Sequence, residues 1–115
     1  MTKPVLYHNP RCSKSRDAAT LLQANNMEYE ERLYLKDVPT EDELRELIDL
    51  LGIRPYDLVR QSEDVFQKKF SKRHPTRFNW IREMVKHPEL IQRPIFIHKK
   101  RAVIGRPPEK VLDLL

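Results

Sequence analysis

The chain has 115 residues, which is enough for one domain and too few for two. Charged residues make up 34% and hydrophobic residues 39%, a balance typical of a globular domain, and no apolar run is long enough to cross a membrane. The net charge of +5 fits either a basic surface or a few arginines that converge on a small anion, and it does not decide between them.

Apolar periodicity and turn residues predict the secondary structure in chain order. They predict a strand at 4–7, a helix at 13–24, a strand at 29–34, a helix at about 41–51, one or two short helices within 54–70, a helix at 76–86, strands at 93–98 and 101–105, and a final helix that opens at 107–108. Thr40 and Glu43 have the spacing of a capping box, and Gly52 suits a left-handed helix stop.

The order of these elements predicts an α/β fold with a mixed sheet: β-α-β-α, then a helical insertion at about 54–90, then β-β-α. The first βαβ unit requires parallel strands with a right-handed crossover, and the last two strands form an antiparallel hairpin added to the same sheet. This order predicts the thioredoxin-like fold, and we expect residues 1–115 to form a single domain.

Cys12 is the only cysteine in the chain, so an internal disulfide and any zinc or iron–sulfur site built from several cysteines are excluded. The chain begins Met1-Thr2-Lys3-Pro4 and leads almost directly into the first predicted strand, so we expect no secretory signal. Both observations favour a cytoplasmic protein in a reducing compartment.

Cys12 lies at the predicted start of the first helix, where unpaired backbone N–H groups and a positive partial charge favour a thiolate. Arg11, Lys14 and Arg16 add positive charge nearby, and His8 adds more if it is protonated. The alternative is an inert, buried cysteine that acts as a small apolar residue. The charged and polar neighbours argue against that alternative and favour a reactive thiol.

The spacing around Cys12 excludes two familiar chemistries. A dithiol redox centre needs Cys-x-x-Cys, and position 15 is serine; a phosphatase loop needs Cys-x5-Arg, and position 18 is alanine. A redox cycle at Cys12 therefore needs a second thiol from another molecule. Any arginines that hold an anion beside it must come from elsewhere in the chain.

Residues 8–16 read His-Asn-Pro-Arg-Cys-Ser-Lys-Ser-Arg, and further motifs follow at 58–60 (Leu-Val-Arg), 92–95 (Gln-Arg-Pro-Ile), 105–108 (Gly-Arg-Pro-Pro) and 111–115 (Val-Leu-Asp-Leu-Leu). In this combination and order the chain resembles, over essentially its whole length, the ArsC family of glutaredoxin-coupled arsenate reductases. Its Cys-Ser-Lys-Ser-Arg segment resembles a branch of ArsC-like proteins more closely than the resistance enzymes, which carry Cys-Gly-Thr-Ser-Arg.

The resemblance implies a role for each residue around the thiol. Cys12 matches the family's nucleophile, His8 matches the histidine that helps to keep it ionised, and Ser15 matches a serine that hydrogen-bonds the thiolate. Pro94 matches the cis-proline of the thioredoxin fold, which lies beside the active cysteine.

The resemblance also implies that Arg60, Arg93 and Arg106 bind the oxyanion. Guanidinium groups suit this role because they stay charged and present forked donors that match a tetrahedral oxyanion. Other candidates keep a surface interpretation, and we expect no metal site among them: Arg11, Arg32, Arg77, Arg101, His74, His87 and His98.

The implied reaction is the reduction of arsenate to arsenite. Cys12 attacks arsenic, glutathione attacks the resulting adduct, and glutaredoxin reduces the mixed disulfide, so glutathione and glutaredoxin are external reductants and no cofactor is bound. We expect a monomer that binds arsenate or a similar oxyanion, with neither nucleic acid nor a membrane as partner.

Three alternatives belong to other functional classes. A transcriptional regulator of the Spx-like branch would bind the RNA polymerase α-subunit, but its usual Cys-x-x-Cys is absent here. A monothiol glutaredoxin-like enzyme would reduce glutathione mixed disulfides, with the arginines on glutathione carboxylates. A basic nucleic-acid binder is disfavoured because neither interleaved aromatic residues nor a known motif is present.

Overall fold

The computed structural model describes residues 3–115, so the prediction of no secretory signal rests in part on Met1 and Thr2, which lie outside the described residues. The strands are β1 (Val5–Tyr7), β2 (Glu30–Arg32), β3 (Ile95–His98) and β4 (Arg101–Ile104), and the α-helices are α1 (Ser13–Ala24), α2 (Glu41–Leu51) and α3 (Trp80–Lys86). Short 3-10 helices span Pro55–Leu58, Pro88–Leu90 and Pro108–Leu114, and a single π-helical turn spans Phe66–Phe70. Among residues 3–115, none of the helices has the length and apolar character needed to span a membrane.

The described residues fall into two compact units. The first unit contains the described residues up to Asp37 together with Arg93–Leu115, and the second unit is Val38–Gln92. The helical insertion predicted at about 54–90 falls within the second unit, and its bounds stay a prediction.

The first unit is built on a mixed four-stranded sheet with the order β2-β1-β3-β4. β1 and β2 are parallel, with Leu6 opposite Glu31, while β1 and β3 are antiparallel, with Leu6 opposite Phe96. β3 and β4 form the antiparallel hairpin. The parallel βαβ unit and the added hairpin confirm the predicted thioredoxin-like arrangement.

Helix α1 covers this sheet because small and apolar residues recur at helical spacing along one face. Ala18, Ala19 and Leu22 are buried and join Leu6 and Phe96 in the core. The 3-10 helix Pro108–Leu114 packs against α1 and completes this core. Its buried residues repeat every three positions, which is the period of a 3-10 helix: Pro108, Val111 and Leu114.

The second unit begins with α2, whose ends have the predicted geometry. The Glu43 N–H donates to the Thr40 hydroxyl (3.1 Å), and the Thr40 N–H donates to the Glu43 carboxylate (3.0 Å). Gly52 closes the helix with φ of 68° in the left-handed region. The capping box and the glycine stop are therefore confirmed.

The helix predicted at 76–86 begins only at Trp80, because Asn79 takes the N-cap position. The Asn79 side chain accepts from the Arg82 N–H (3.1 Å), and the Trp80 indole N–H donates to the Pro75 carbonyl (3.0 Å). Trp80 packs on four aromatic rings within this unit, which are Tyr56, Phe66, Phe70 and Phe78. This aromatic cluster forms the core of the second unit.

Candidate active site

Cys12 occupies the N-cap position of α1, in extended backbone conformation (φ −96°, ψ 123°), at the end of the loop that follows β1. Its thiol makes no regular cap hydrogen bond. The backbone N–H groups of Ser15 and Lys14, in the first turn of α1, nevertheless favour its ionised form. The helix terminus thus supplies donors to a sulfur anion, as the sequence predicted.

Opposing influences set the pKa of Cys12. Partial burial raises it, whereas the Ser15 N–H, a hydrogen bond from the Arg93 side chain, the Lys14 N–H and the positive charge of Arg93 lower it. The lowering contributions prevail, so the pKa of Cys12 lies below the ordinary value of a thiol. A larger share of the side chain is therefore thiolate near neutral pH than in a free cysteine.

Two of the three predicted oxyanion-binding arginines stand beside Cys12. Arg93 is only 8% exposed and hydrogen-bonds the sulfur, and Nη2 of Arg106 lies 3.9 Å from Sγ. The Arg106 Nε–H donates to the Arg93 carbonyl (2.8 Å), which fixes one arginine against the other. Two guanidinium groups and the Cys12 thiol therefore share one small region of the first unit.

The backbone around these arginines brings β3 and β4 together at their ends. Both the Arg93–Pro94 and the Arg106–Pro107 peptide bonds are cis, and the former is the position that the resemblance implied. The Gly105 N–H donates to the Pro94 carbonyl (2.8 Å). A Cβ at Gly105 would lie 2.8 Å from Cγ of Pro94, so the glycine is required by this close approach. Composition and spacing do not indicate this requirement, because it comes from a contact with Pro94, which lies 11 residues away in the sequence.

His8 and Ser15 form a buried pair beside the thiol loop. Nδ1 of His8 lies 2.6 Å from Oγ of Ser15, which also accepts the Asn9 N–H (3.0 Å). Burial lowers the pKa of His8 and prevails over Glu31, which raises it; Arg16 lowers it further. His8 is therefore neutral near neutral pH, and the Ser15 hydroxyl can donate to Nδ1.

This pairing differs from the geometry that the resemblance implied. The Ser15 hydroxyl lies against His8 and Asn9, and the backbone N–H of Ser15 is the group that favours the Cys12 thiolate. Asn9 was not selected from the sequence, yet it is buried, and its side-chain oxygen accepts the Arg11 N–H (3.1 Å). The Asn-Pro pair that Asn9 forms with Pro10 is typical of a turn, and it is the sequence feature that could have identified Asn9.

Arg60, the third predicted oxyanion ligand, belongs to the second unit. Its backbone N–H donates to the Leu90 carbonyl (2.6 Å), and its guanidinium Nε donates to the Ser62 hydroxyl (3.1 Å) and pairs with Glu63 (3.6 Å). The structure thus shows how Arg60 is held locally, and its part in anion binding stays a prediction. Across residues 3–115, no three or more His, Cys, Asp or Glu residues cluster in a way that could hold a metal ion.

A model of the ArsC family matches residues 7–114. The chain belongs to the ArsC family. It is 42% identical over 118 residues to YfgD, an uncharacterized protein of Escherichia coli K12, with 100% of this chain and 99% of that protein covered. It is 34% identical over 113 residues to an arsenate reductase of Haemophilus influenzae (96% and 97% covered). Among solved structures, an arsenate reductase from Vibrio cholerae superposes with a TM-score of 0.89 at 33% identity, with 97% of each chain covered.

Proposed function

We propose that this ArsC-family protein is an oxidoreductase that reduces arsenate to arsenite, with Cys12 as the nucleophile. The observation that carries the proposal is the contact of a thiol of lowered pKa with two arginines, Arg93 and Arg106. A thiolate surrounded by forked cationic donors suits attack on a tetrahedral oxyanion. The relatives named arsenate reductases support arsenate as that oxyanion.

In the first step, Arg93 and Arg106 hold arsenate and Cys12 Sγ attacks arsenic. A sulfur–arsenic bond forms, and one arsenate oxygen leaves as water after it takes up protons. The two guanidinium groups stabilise the negative charge that develops on the oxygens during the attack. Arginine stays protonated throughout, so these groups bind the anion without competing for the protons that the leaving oxygen needs.

In the second step, an external thiol completes the reduction because Cys12 is the chain's only cysteine. The external thiolate attacks Cys12 Sγ, the sulfur–arsenic bond breaks, and its electron pair stays on arsenic. Arsenic is thereby reduced and the two sulfurs are oxidised to a mixed disulfide. Overall, arsenic acid and two thiols give arsenous acid, water and a disulfide. Glutathione is the thiol we assign, and glutaredoxin regenerates Cys12 from the mixed disulfide.

The family resemblance alone supports Arg60 as a further anion-binding arginine. Its side chain is held by Ser62 and Glu63, so Arg60 would contribute a positive charge at a position that is already fixed within the second unit. Replacing Arg60 with alanine should raise the KM for arsenate and leave the Cys12 pKa unchanged, since Arg60 is not among the groups that shift it.

The test is turnover of arsenate with glutathione, glutaredoxin and NADPH-linked recycling, with Cys12→Ser as the matched inactive variant. The same protein is assayed against a glutathione mixed disulfide. Arsenate turnover that depends on Cys12 supports the proposal. Turnover of the mixed disulfide alone would replace it with the monothiol glutaredoxin-like function.

A further inference from the structure

A cavity of about 360 Å³ opens beside the loop that carries Cys12. It is lined by residues of two neighbouring loops, 8–11 and the segment after β2, and its size lies within the ~300–1,000 Å³ typical of small-molecule sites. β1 and β2 are parallel, so the two loops leave the sheet at the same edge, and the His8 N–H donates to the Arg32 carbonyl (2.9 Å) across it. The cavity therefore lies at the same edge of the sheet as the loop that leads to Cys12.

The lining combines an apolar surface with two cations. Pro10, Leu33 and Leu35 supply the apolar part, and Leu35 is 41% exposed, which is unusual among the large apolar side chains of residues 3–115. Arg11 and Lys36 also line the cavity and are both exposed. An apolar surface with a cation from each loop suits a small, flexible molecule that carries carboxylates.

The backbone N–H groups of both cationic residues are hydrogen-bonded, which restrains the loops that carry them. The Arg11 N–H donates to the Asn9 side chain (3.1 Å), and the Lys36 N–H donates to the Leu33 carbonyl (2.9 Å). Asp37, the acidic residue next to Lys36 in the sequence, pairs with Arg32 (3.4 Å). Within residues 3–115, no carboxylate forms an ion pair with either Arg11 or Lys36, so both charges are available to a ligand.

We propose that this cavity docks the low-molecular-weight thiol that reduces Cys12, with Arg11 and Lys36 on its carboxylates. The proposal rests on the function proposed above, because it assumes an external thiol that acts on Cys12. The occupant is a carboxylate-bearing tripeptide thiol, for which glutathione is the probe. The arginines that bind the oxyanion, Arg93 and Arg106, are not part of this lining, so oxyanion and thiol have separate binding groups.

The test measures thiol–disulfide exchange at Cys12 without arsenate. Cys12 thiolate attacks oxidised glutathione, a new sulfur–sulfur bond forms, the glutathione disulfide breaks, and one glutathione thiolate leaves. The second-order rate is followed by intact-protein mass spectrometry. The same rate is measured with 2-hydroxyethyl disulfide, which is neutral, and the ratio of the two rates reports recognition of carboxylates.

We compare the Arg11→Gln/Lys36→Gln double variant with a control of equal charge, Arg101→Gln/Lys110→Gln, whose positions are exposed and do not line the cavity. Two exposed ion pairs predict a fall of about 2- to 25-fold in the rate ratio of the cavity variant. The control should keep the wild-type ratio. The effect should weaken as salt is added.

An unchanged ratio in the cavity variant would overturn the docking proposal, as would an equal fall with both disulfides, which would indicate a less reactive thiol. The proposed function fails separately. If wild-type protein releases no arsenite but the cavity variant loses its preference for oxidised glutathione, the docking site stands and arsenate reduction falls. If the wild-type protein releases arsenite and the cavity variant keeps the wild-type rate ratio, arsenate reduction stands and the docking site falls.

Discussion

Replacing Arg93 with lysine separates the two properties that the site uses, charge and forked geometry. Arg93 is 8% exposed, hydrogen-bonds the Cys12 sulfur and lowers its pKa by both that bond and its charge. Lysine keeps a positive charge but presents a single ammonium group on a flexible stem. The carbonyl of Arg93, which accepts from Arg106, belongs to the backbone and is retained in the variant.

The expected loss follows from one charge-assisted hydrogen bond. Such a bond contributes about 1.5–3 kcal/mol, which corresponds to roughly 10- to 150-fold in binding or rate. We expect Arg93→Lys to lower kcat/KM for arsenate within this range. Arg93→Ala, which removes the charge as well, should lower it further and also raise the Cys12 pKa.

The assay is arsenate turnover under limiting substrate, with the Cys12 pKa measured in parallel from the ultraviolet absorbance of the thiolate. Arg101→Lys is the control because Arg101 is exposed at the start of β4. It should leave both quantities unchanged. Wild-type kcat/KM in Arg93→Lys would refute the argument from forked geometry, and an unchanged Cys12 pKa in Arg93→Ala would refute the assigned cause of the pKa shift.

Three further predictions follow from the same geometry. Cys12→Ser should abolish arsenate reduction and change the free energy of unfolding by less than ~1 kcal/mol, measured by urea titration, because the side chain is only partly buried; a large loss of stability would instead support an inert core cysteine. The rate of Cys12 alkylation by iodoacetamide should rise with pH through a midpoint below the ordinary pKa of a thiol. The free energy of unfolding of the wild type, relative to Cys12→Ser, should increase with pH between that midpoint and the ordinary pKa, because the lowered pKa favours the thiolate in the folded state. A midpoint at the ordinary value would contradict this. Gly105→Ala should lower Tm and cost about 1–3 kcal/mol, because its Cβ would meet Pro94 Cγ at 2.8 Å; an unchanged Tm would show that the neighbouring proline gives way.

The secondary structure was most predictable where short-range chemistry determines it. The capping box of Thr40 and Glu43 and the stop at Gly52 depend on residues within one element, and all were found as predicted. The start of α3 was wrong by four residues, since Asn79 and the Trp80 indole bond to local groups that periodicity does not reveal. The helical type of Pro108–Leu114 depends on packing against α1, which is also not local.

The candidate site shows the same division between local and tertiary information. The position of Cys12 at a helix start could be derived from the sequence, and so could the need for an external thiol. Which arginines reach the sulfur depends on where β3 begins and β4 ends. Spacing alone therefore does not select Arg93 or Arg106, whereas the family resemblance does. The pairing of the Ser15 hydroxyl with His8, in place of the thiolate, follows from burial that only the structure shows.

Direct measurement of arsenite is the closest test of whether Cys12 reduces arsenate at an arginine-lined site. Purified protein is incubated with arsenate, glutathione, glutaredoxin and an NADPH recycling system, and arsenite is separated from arsenate and quantified. We predict one arsenite formed for each NADPH consumed by the wild-type protein and none above the protein-free blank for Cys12→Ser. Equal arsenite from wild type and Cys12→Ser, or none from wild type, would contradict the claim.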